Sequence, residues 1–321
     1  MSDAGLRSIS MTLWRSDRAA FARALMSSFE QFGFAVVRDH DLDQGVVDGA
    51  TAAARDLFAL PAETKRRWLI ADQAGARGYT PFGIETAKGA AHPDLKEFWH
   101  VGRDLPQGHP YRTVMPDNLW PEVLPRFRPA VADLYAALDR MGQTLLAATA
   151  VGLGLPADWF ADKTALGDTI LRLAYYPPTP ADFGADSGGV RAAAHEDINA
   201  ITLLLGAEEA GLEILTRDGR WLEVNPEPGS LVVNVGDMLQ RLTNHVLPST
   251  THRVANPPPE RRGSARLSTP FFVHFQPDFE IRTLKSCIGP DRQDRYPEPI
   301  TAHAYLQQRL AEIGLKRDRA A

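Results

Sequence analysis

A chain of 321 residues that is 44% hydrophobic holds enough apolar side chain for one large core or two closely packed ones. Its net charge of −5, with Lys and Arg scattered, speaks against nucleic acid or an anionic membrane as the main partner. The single cysteine, Cys287, excludes an internal disulfide framework and a cysteine-based zinc site. The start of the chain lacks a basic-then-apolar pattern and the most apolar run, residues 145–156, is too short to span a bilayer, so a cytoplasmic protein is expected.

In chain order, Phe21, Leu25, Met26, Phe29 and Phe32 recur at helical spacing, which predicts an amphipathic helix over residues 17–32 ended by Gly33. Residues 34–37 read as a short buried strand, residues 44–60 as a second helix stopped by Pro61, and residues 62–69 as a short third one. Residues 74–89 are Gly-rich loop or irregular strand, with Tyr79, Phe82 and Glu85 between the glycines. The next segment, residues 94–105, carries Lys96, Glu97, Trp99, His100 and Arg103 on an apolar background. Phe127, Val131, Leu134, Leu138, Met141 and Leu145 then form one unbroken stripe, which predicts a long helix that packs on a sheet as core.

Beyond residue 166 the pattern changes to short β-prone runs separated by turns. Runs at 169–176, 198–205, 212–215, 221–224, 230–235, 250–254 and 266–275 predict strands, with residues 181–194 as a loop and Asp218-Gly219 as a hairpin turn. Closely spaced strands after a helical first half predict an α+β fold: a jelly-roll core, or double-stranded β-helix, with α-helices on one outer face. A last helix is expected over residues 301–313.

The chemistry concentrates at His195 and Asp197. Residues two apart on a strand share a face, so this His-x-Asp triplet can aim an imidazole and a carboxylate at one metal ion, and a distant second His would complete a facial 2-His-1-carboxylate set for Fe(II). With 9 His and 25 Asp in the chain, about 0.7 such triplets arise by chance, and a second one, His92-Pro93-Asp94, reads as a turn because its proline cannot donate to a ladder. His252, in an extended stretch far from His195, suits the third ligand. Downstream, Arg266 and Ser268 share a strand face and match a small dicarboxylate; the alternative is an arginine that snorkels to water from a strand end.

The succession His195-x-Asp197, Gly211-Leu212, Asp218-Gly219-Arg220-Trp221, Asn234-Val235-Gly236-Asp237, Thr243-Asn244, His252-Arg253-Val254 and Arg266-x-Ser268 resembles the Fe(II)/2-oxoglutarate-dependent oxygenases of the isopenicillin N synthase-like family. The resemblance covers residues 166–280 as the oxygenase jelly roll. It extends more loosely over residues 1–120 as the mostly helical non-haem dioxygenase N-terminal region, through Phe32-Gly33-Phe34 and Arg77-Gly78-Tyr79; residues 121–165 hold the long helix and residues 281–321 a C-terminal extension. It implies that His195, Asp197 and His252 bind and use Fe(II), and that Arg266 and Ser268 hold the distal carboxylate of 2-oxoglutarate with Tyr176 lining its pocket. It implies too that dioxygen and 2-oxoglutarate are consumed, with release of succinate and CO2, as a small-molecule metabolite is oxidised. Ala174 and Thr179 stand where the family often has Asn and Cys, and the missing amide removes one polar contact near the co-substrate. By position in the family pattern, Tyr79, Phe82, Glu85, Glu97, Trp99 and His100 lie near the pocket mouth, although core packing is the stronger reading for the aromatics. Two rival readings stay open: an iron oxidase of the same family that needs no 2-oxoglutarate, and a jelly-roll module with a structural metal. Neither the substrate nor the oligomeric state is legible.

Overall fold

The computed structural model describes residues 5–70, 76–84, 94–178, 191–205, 211–256 and 263–312. The first half holds β1 (Ser8–Ser10), α1 (Thr12–Ser16), α2 (Arg18–Phe32), β2 (Phe34–Arg38), α3 (Gln44–Ala59), α4 (Ala62–Lys65), β3 (Gly78–Thr80), β4 (Glu97–Gly102), α5 (Phe127–Gly152) and α6 (Ala161–Thr164). The second half holds β5 (Ile170–Tyr176), β6 (Ala192–His195), β7 (Ile201–Leu205), β8 (Leu212–Leu215), β9 (Trp221–Glu223), β10 (Leu231–Val235), α7 (Asp237–Leu242), β11 (His252–Val254), β12 (Arg266–Ser268), β13 (Pro270–Val273), β14 (Glu280–Ile281), β15 (Ile300–Thr301) and α8 (Ala302–Glu312).

Local chemistry sets the helix ends. Asp17 caps α2 by accepting the Ala20 amide at 2.9 Å. Gly33 closes it in the left-handed region, φ 67°, where a side chain would also collide with the Pro248 carbonyl. All six stripe residues of α5 are buried, each stabilising the fold by about 1.5–3 kcal/mol. Gly142 lets α5 close onto the sheet: a Cβ there would lie 2.9 Å from Val273.

Two sheets form the double-stranded β-helix. The larger runs β1-β2-β10-β7-β13-β5-β4-β3, with β12 paired to β5; the smaller runs β6-β11-β8-β9. They face each other, since Phe34, Val36 and Val232 of the large sheet pack with Leu212, Ile214 and Val224 of the small-sheet side in one apolar cluster. The opposite face of the large sheet, with Leu171, Leu173, Leu203, Val233 and Phe271, packs on α2, α3 and α5 in the main core. The helical first half is therefore joined to the sheet as well as laid on it: β1 and β2 extend one edge, β3 and β4 the other.

Among the departures from the expected elements, three bear on the site. Residues 94–105 contain β4, six buried residues paired with Ile170 to Tyr175 of β5. The stretch expected as loop ends in β6, three weakly β-prone alanines and His195 held extended by β11. Finally, β7 begins only at Ile201, so Asp197 sits in the turn where the chain crosses from the small sheet to the large one.

Candidate metal and co-substrate site

His195 ends β6 and His252 begins β11, and the two are direct partners in the antiparallel ladder, with ring centroids 4.4 Å apart. Asp197, two residues on, reaches them from the turn. Each Nε2 lies 3.8 Å from Asp197 Oδ1, too long for a hydrogen bond and a spacing that one shared ion bridges. These are the one group of three or more potential metal ligands among the described residues.

The hydrogen bonds around the three residues test whether they fit an ion. His195 Nδ1 lies 2.7 Å from the Ala193 carbonyl and His252 Nδ1 lies 3.1 Å from the Thr250 carbonyl. A carbonyl only accepts, so each Nδ1 carries the proton and each Nε2 presents its lone pair. Asp197 Oδ2 accepts from Thr202 Oγ1 and, at 2.8 Å, from Asn234 Nδ2, which leaves Oδ1 on the side of the histidines. Burial, then the nearby His252, lowers the His195 pKa to about 4. Burial pushes Asp197 up, but the two imidazoles, Asn234 and Thr202 more than reverse this and hold it below the ordinary carboxylate value. A neutral His195 and an ionised Asp197 are the protonation states that a divalent ion requires of them. The His195 side chain is 37% exposed against 6% for Asp197, so the cluster opens on the His195 side.

The second group lies on the inner face of the large sheet. β12 sets Arg266 opposite Tyr176 and Ser268 opposite Ala174 of β5. The Arg266 guanidinium stands 5.2 Å over the Tyr176 ring and only 3% of Arg266 is exposed, which rules out the snorkelling alternative. Ala174 faces Ser268, so the missing amide lies within this group.

Several partners were not singled out from the sequence. Thr202 carried no signal beyond its place in a strand, and Asn234 and Asp237 entered only as part of the family-like succession with no role attached, because what marks them is the residue they meet. Asp94 accepts the Ala193 amide at 3.1 Å and pairs with Lys96 at 2.8 Å, tying the start of β4 to β6 just before His195. Asp237 donates its amide to the Asp197 carbonyl at 2.8 Å. Burial pushes the Asp237 carboxyl up to about 7 against the pull of Arg309, 2.9 Å away on α8.

The pocket-mouth expectation is corrected for Glu97, and Tyr79 and Trp99 take the core-packing alternative. Glu97 and Trp99 alternate on β4 with Phe98 and His100, and point away from the inner face. Trp99 is fully buried against Phe127 of α5. Glu97 is locked in a buried pair with Lys65, 2.7 and 2.8 Å from its two oxygens, and accepts from the Tyr79 hydroxyl; both Tyr79 and Trp99 belong to the main core. Phe82 is exposed on a turn, His100 is on the inner face, and Glu85, like His92 and Thr179, lies outside the described residues.

Comparison with known proteins agrees with this geometry. The family model described as the 2OG-Fe(II) oxygenase superfamily matches residues 167–275, and that of the non-haem dioxygenase N-terminal region, described for morphine synthesis, matches residues 6–123. A 2-oxoglutarate-Fe(II) type oxidoreductase of Emericella nidulans is 32% identical over 293 residues, covering 88% of this chain and 82% of the relative. The chain belongs to the 2OG-Fe(II) oxygenases. Among solved structures, a 2OG-Fe(II) oxygenase family protein of Caulobacter crescentus is 56% identical with a TM-score of 0.90, covering 96% of this chain and 99% of that one. A full-length Neurospora crassa protein, in complex with alpha-KG and thymine, is 27% identical with a TM-score of 0.85 over 97% of this chain and 98% of its own. This oxygenase is thus a 2-oxoglutarate-dependent dioxygenase, with Fe(II) as its metal and 2-oxoglutarate and dioxygen as co-substrates.

Proposed function

We propose that His195, Asp197 and His252 are the iron ligands of this dioxygenase, that Arg266 and Ser268 hold the distal carboxylate of 2-oxoglutarate beside Tyr176, and that the reaction hydroxylates a C–H bond of a small metabolite. The observation that carries the assignment is the orientation of the triad. Three donor atoms converge while every opposite atom, both Nδ1 and Asp197 Oδ2, is engaged elsewhere.

Bound Fe(II) with 2-oxoglutarate supplies the activation of dioxygen, coupled to decarboxylation to succinate. The chain's own residues do the rest. Thr202 and Asn234 hold Asp197 in one rotamer, and the Ala193 and Thr250 carbonyls fix both imidazole tautomers. The Arg266 fork offers parallel N–H donors to the carboxylate and Ser268, on the same face, adds a hydroxyl. Phe34, edge-on to the His252 ring with centroids 5.4 Å apart, backs the triad with apolar surface.

A small molecule, rather than nucleic acid or a membrane, is supported by the net charge of −5 and by the lack, among the described residues, of a helix long and apolar enough to cross a membrane. A cytoplasmic setting rests on the single, buried, unbridged Cys287. The division at about residues 120, 165 and 280 is supported by the limits of the two family matches. Anaerobic addition of Fe(II) and 2-oxoglutarate tests the site: the wild type should develop a visible charge-transfer band, and His195→Ala and Asp197→Ala should abolish both band and succinate formation. Undiminished turnover in either variant sinks the metal assignment.

A further inference from the structure

The two histidines of the triad are held unequally. His252 begins β11, which is paired on both sides, with β6 and with β8. His195 ends β6, at the edge of the small sheet, and its side chain is 37% exposed against 10% for His252. β6 is also irregular. His195 pairs with His252 and Ala192 with Val254, so β6 uses one residue more than β11 over this span and bulges between the two pairs. A bulge interrupts the ladder and re-aims the side chain beside it, and the two residues inside this one, Ala193 and Ala194, have no side chain with which to anchor it.

The bulge meets Asp94 instead. This aspartate closes the second His-x-Asp triplet, stands just before β4 of the large sheet and is only 4% exposed. Its Oδ1 accepts the Ala193 amide at 3.1 Å, and its Oδ2 takes the buried Lys96 ammonium at 2.8 Å. The Ala193 carbonyl accepts in turn from His195 Nδ1 at 2.7 Å. The Ala193 amide and carbonyl lie in different peptide planes joined at one Cα, so Asp94 acts on His195 by placement and not by polarising a single amide.

We propose that Asp94, braced by Lys96, is a positioning residue for the iron centre: it pins the β6 bulge and so fixes the Ala193 carbonyl that sets the tautomer and rotation of His195. This inference rests on the reading of His195 as an iron ligand. His252 needs no such support, because its strand has a neighbour on either side. A bulged edge strand has lost that restraint, and a carboxylate accepting a backbone amide restores it with one of the stronger hydrogen bonds. Lys96 offsets the cost of burying the carboxylate and holds its second oxygen.

The test uses the full chain with Lys96→Met in place, so that loss of Asp94 strands no ammonium at this pair. Asp94→Asn, which keeps an acceptor oxygen, is compared with Asp94→Leu, which is close in size and keeps none. One readout is proton–nitrogen NMR of the metal-free protein with labelled histidine, which reports the tautomer of each imidazole. The other is anaerobic Fe(II) titration at saturating 2-oxoglutarate. In the wild type both His195 and His252 should carry the proton on Nδ1. Asp94→Asn should preserve this and bind iron within about threefold of Lys96→Met alone, whereas Asp94→Leu should weaken iron by about tenfold, as for loss of a partner behind a metal ligand. Asp94→Leu should also lose the single tautomer at His195 and leave His252 unchanged. Should it not fold, Asp94→Ala, which likewise lacks an acceptor, takes its place. Equal iron affinity in the variants with and without the acceptor overturns the proposal, as does a His195 tautomer that stays fixed without it. So does a disturbance that spreads to His252, which is what a merely structural tie would give, or a wild-type His195 protonated on Nε2. Iron binding that survives His195→Ala fails the underlying ligand reading instead, and the two failures are distinct.

Discussion

Asn234→Leu separates the donor set from the residues that hold it. Asn234 is 4% exposed and gives its amide to Asp197 Oδ2 at 2.8 Å, and leucine keeps the volume while deleting the donor. A hydrogen bond to a charged group contributes about 1.5–3 kcal/mol, and loss of a partner behind a metal ligand costs about 10–100-fold in metal affinity. Those two ranges agree, because about 1.4 kcal/mol is a factor of ten. Thr202 still donates to the same oxygen, so the effect should fall at the lower end, about tenfold, with a matching loss of about 1.5 kcal/mol in metal-free stability. The assay is anaerobic titration of Fe(II) at saturating 2-oxoglutarate, read at the charge-transfer band, beside urea unfolding of the metal-free protein. A variant that is destabilised but binds iron within twofold of the wild type would falsify the claim that Asn234 aims Asp197 at the metal.

Glu97→Ala should cost about 3–5 kcal/mol, since it strands the buried Lys65 ammonium, and should leave the affinity of the folded fraction for 2-oxoglutarate unchanged; a variant of wild-type stability with altered substrate affinity would restore Glu97 to the pocket. Arg266→Ala should weaken 2-oxoglutarate far more than iron, and equal losses in a two-ligand titration count against the clamp. For pH dependence, the Asp237 carboxyl is held at about 7 in the folded state, above its ordinary 3.8. The unfolded chain therefore loses that proton first, and the group's contribution to stability declines as pH rises from about 4 to about 7. Asp237→Asn removes this decline, so the stability of the variant relative to the wild type should climb across that window in paired urea titrations. A difference that does not change with pH refutes the assignment.

The sequence alone determined the periodic elements and the types of donor. The α5 stripe, the Gly33 stop and the strand-rich second half are local patterns, since a 3.6 or 2.0 period writes burial directly into residue order. His195, Asp197, His252, Arg266 and Ser268 were legible because their order matches a family pattern, although the triplet on its own was little better than chance. Tertiary structure decided what those patterns could not carry. Pairing with β11 holds three alanines extended as β6, and a turn between two sheets, not a shared strand face, brings Asp197 to the histidines. β4 was missed because both its faces are buried, one between the two sheets and one on the helices, so it shows no alternation of polar and apolar residues. The same burial sends Glu97 and Trp99 outward to the core and leaves Phe98 and His100 inward beside Arg172. Which face a residue takes depends on the strand that pairs with it from about 70 positions away in the chain, and residue order does not record that pairing.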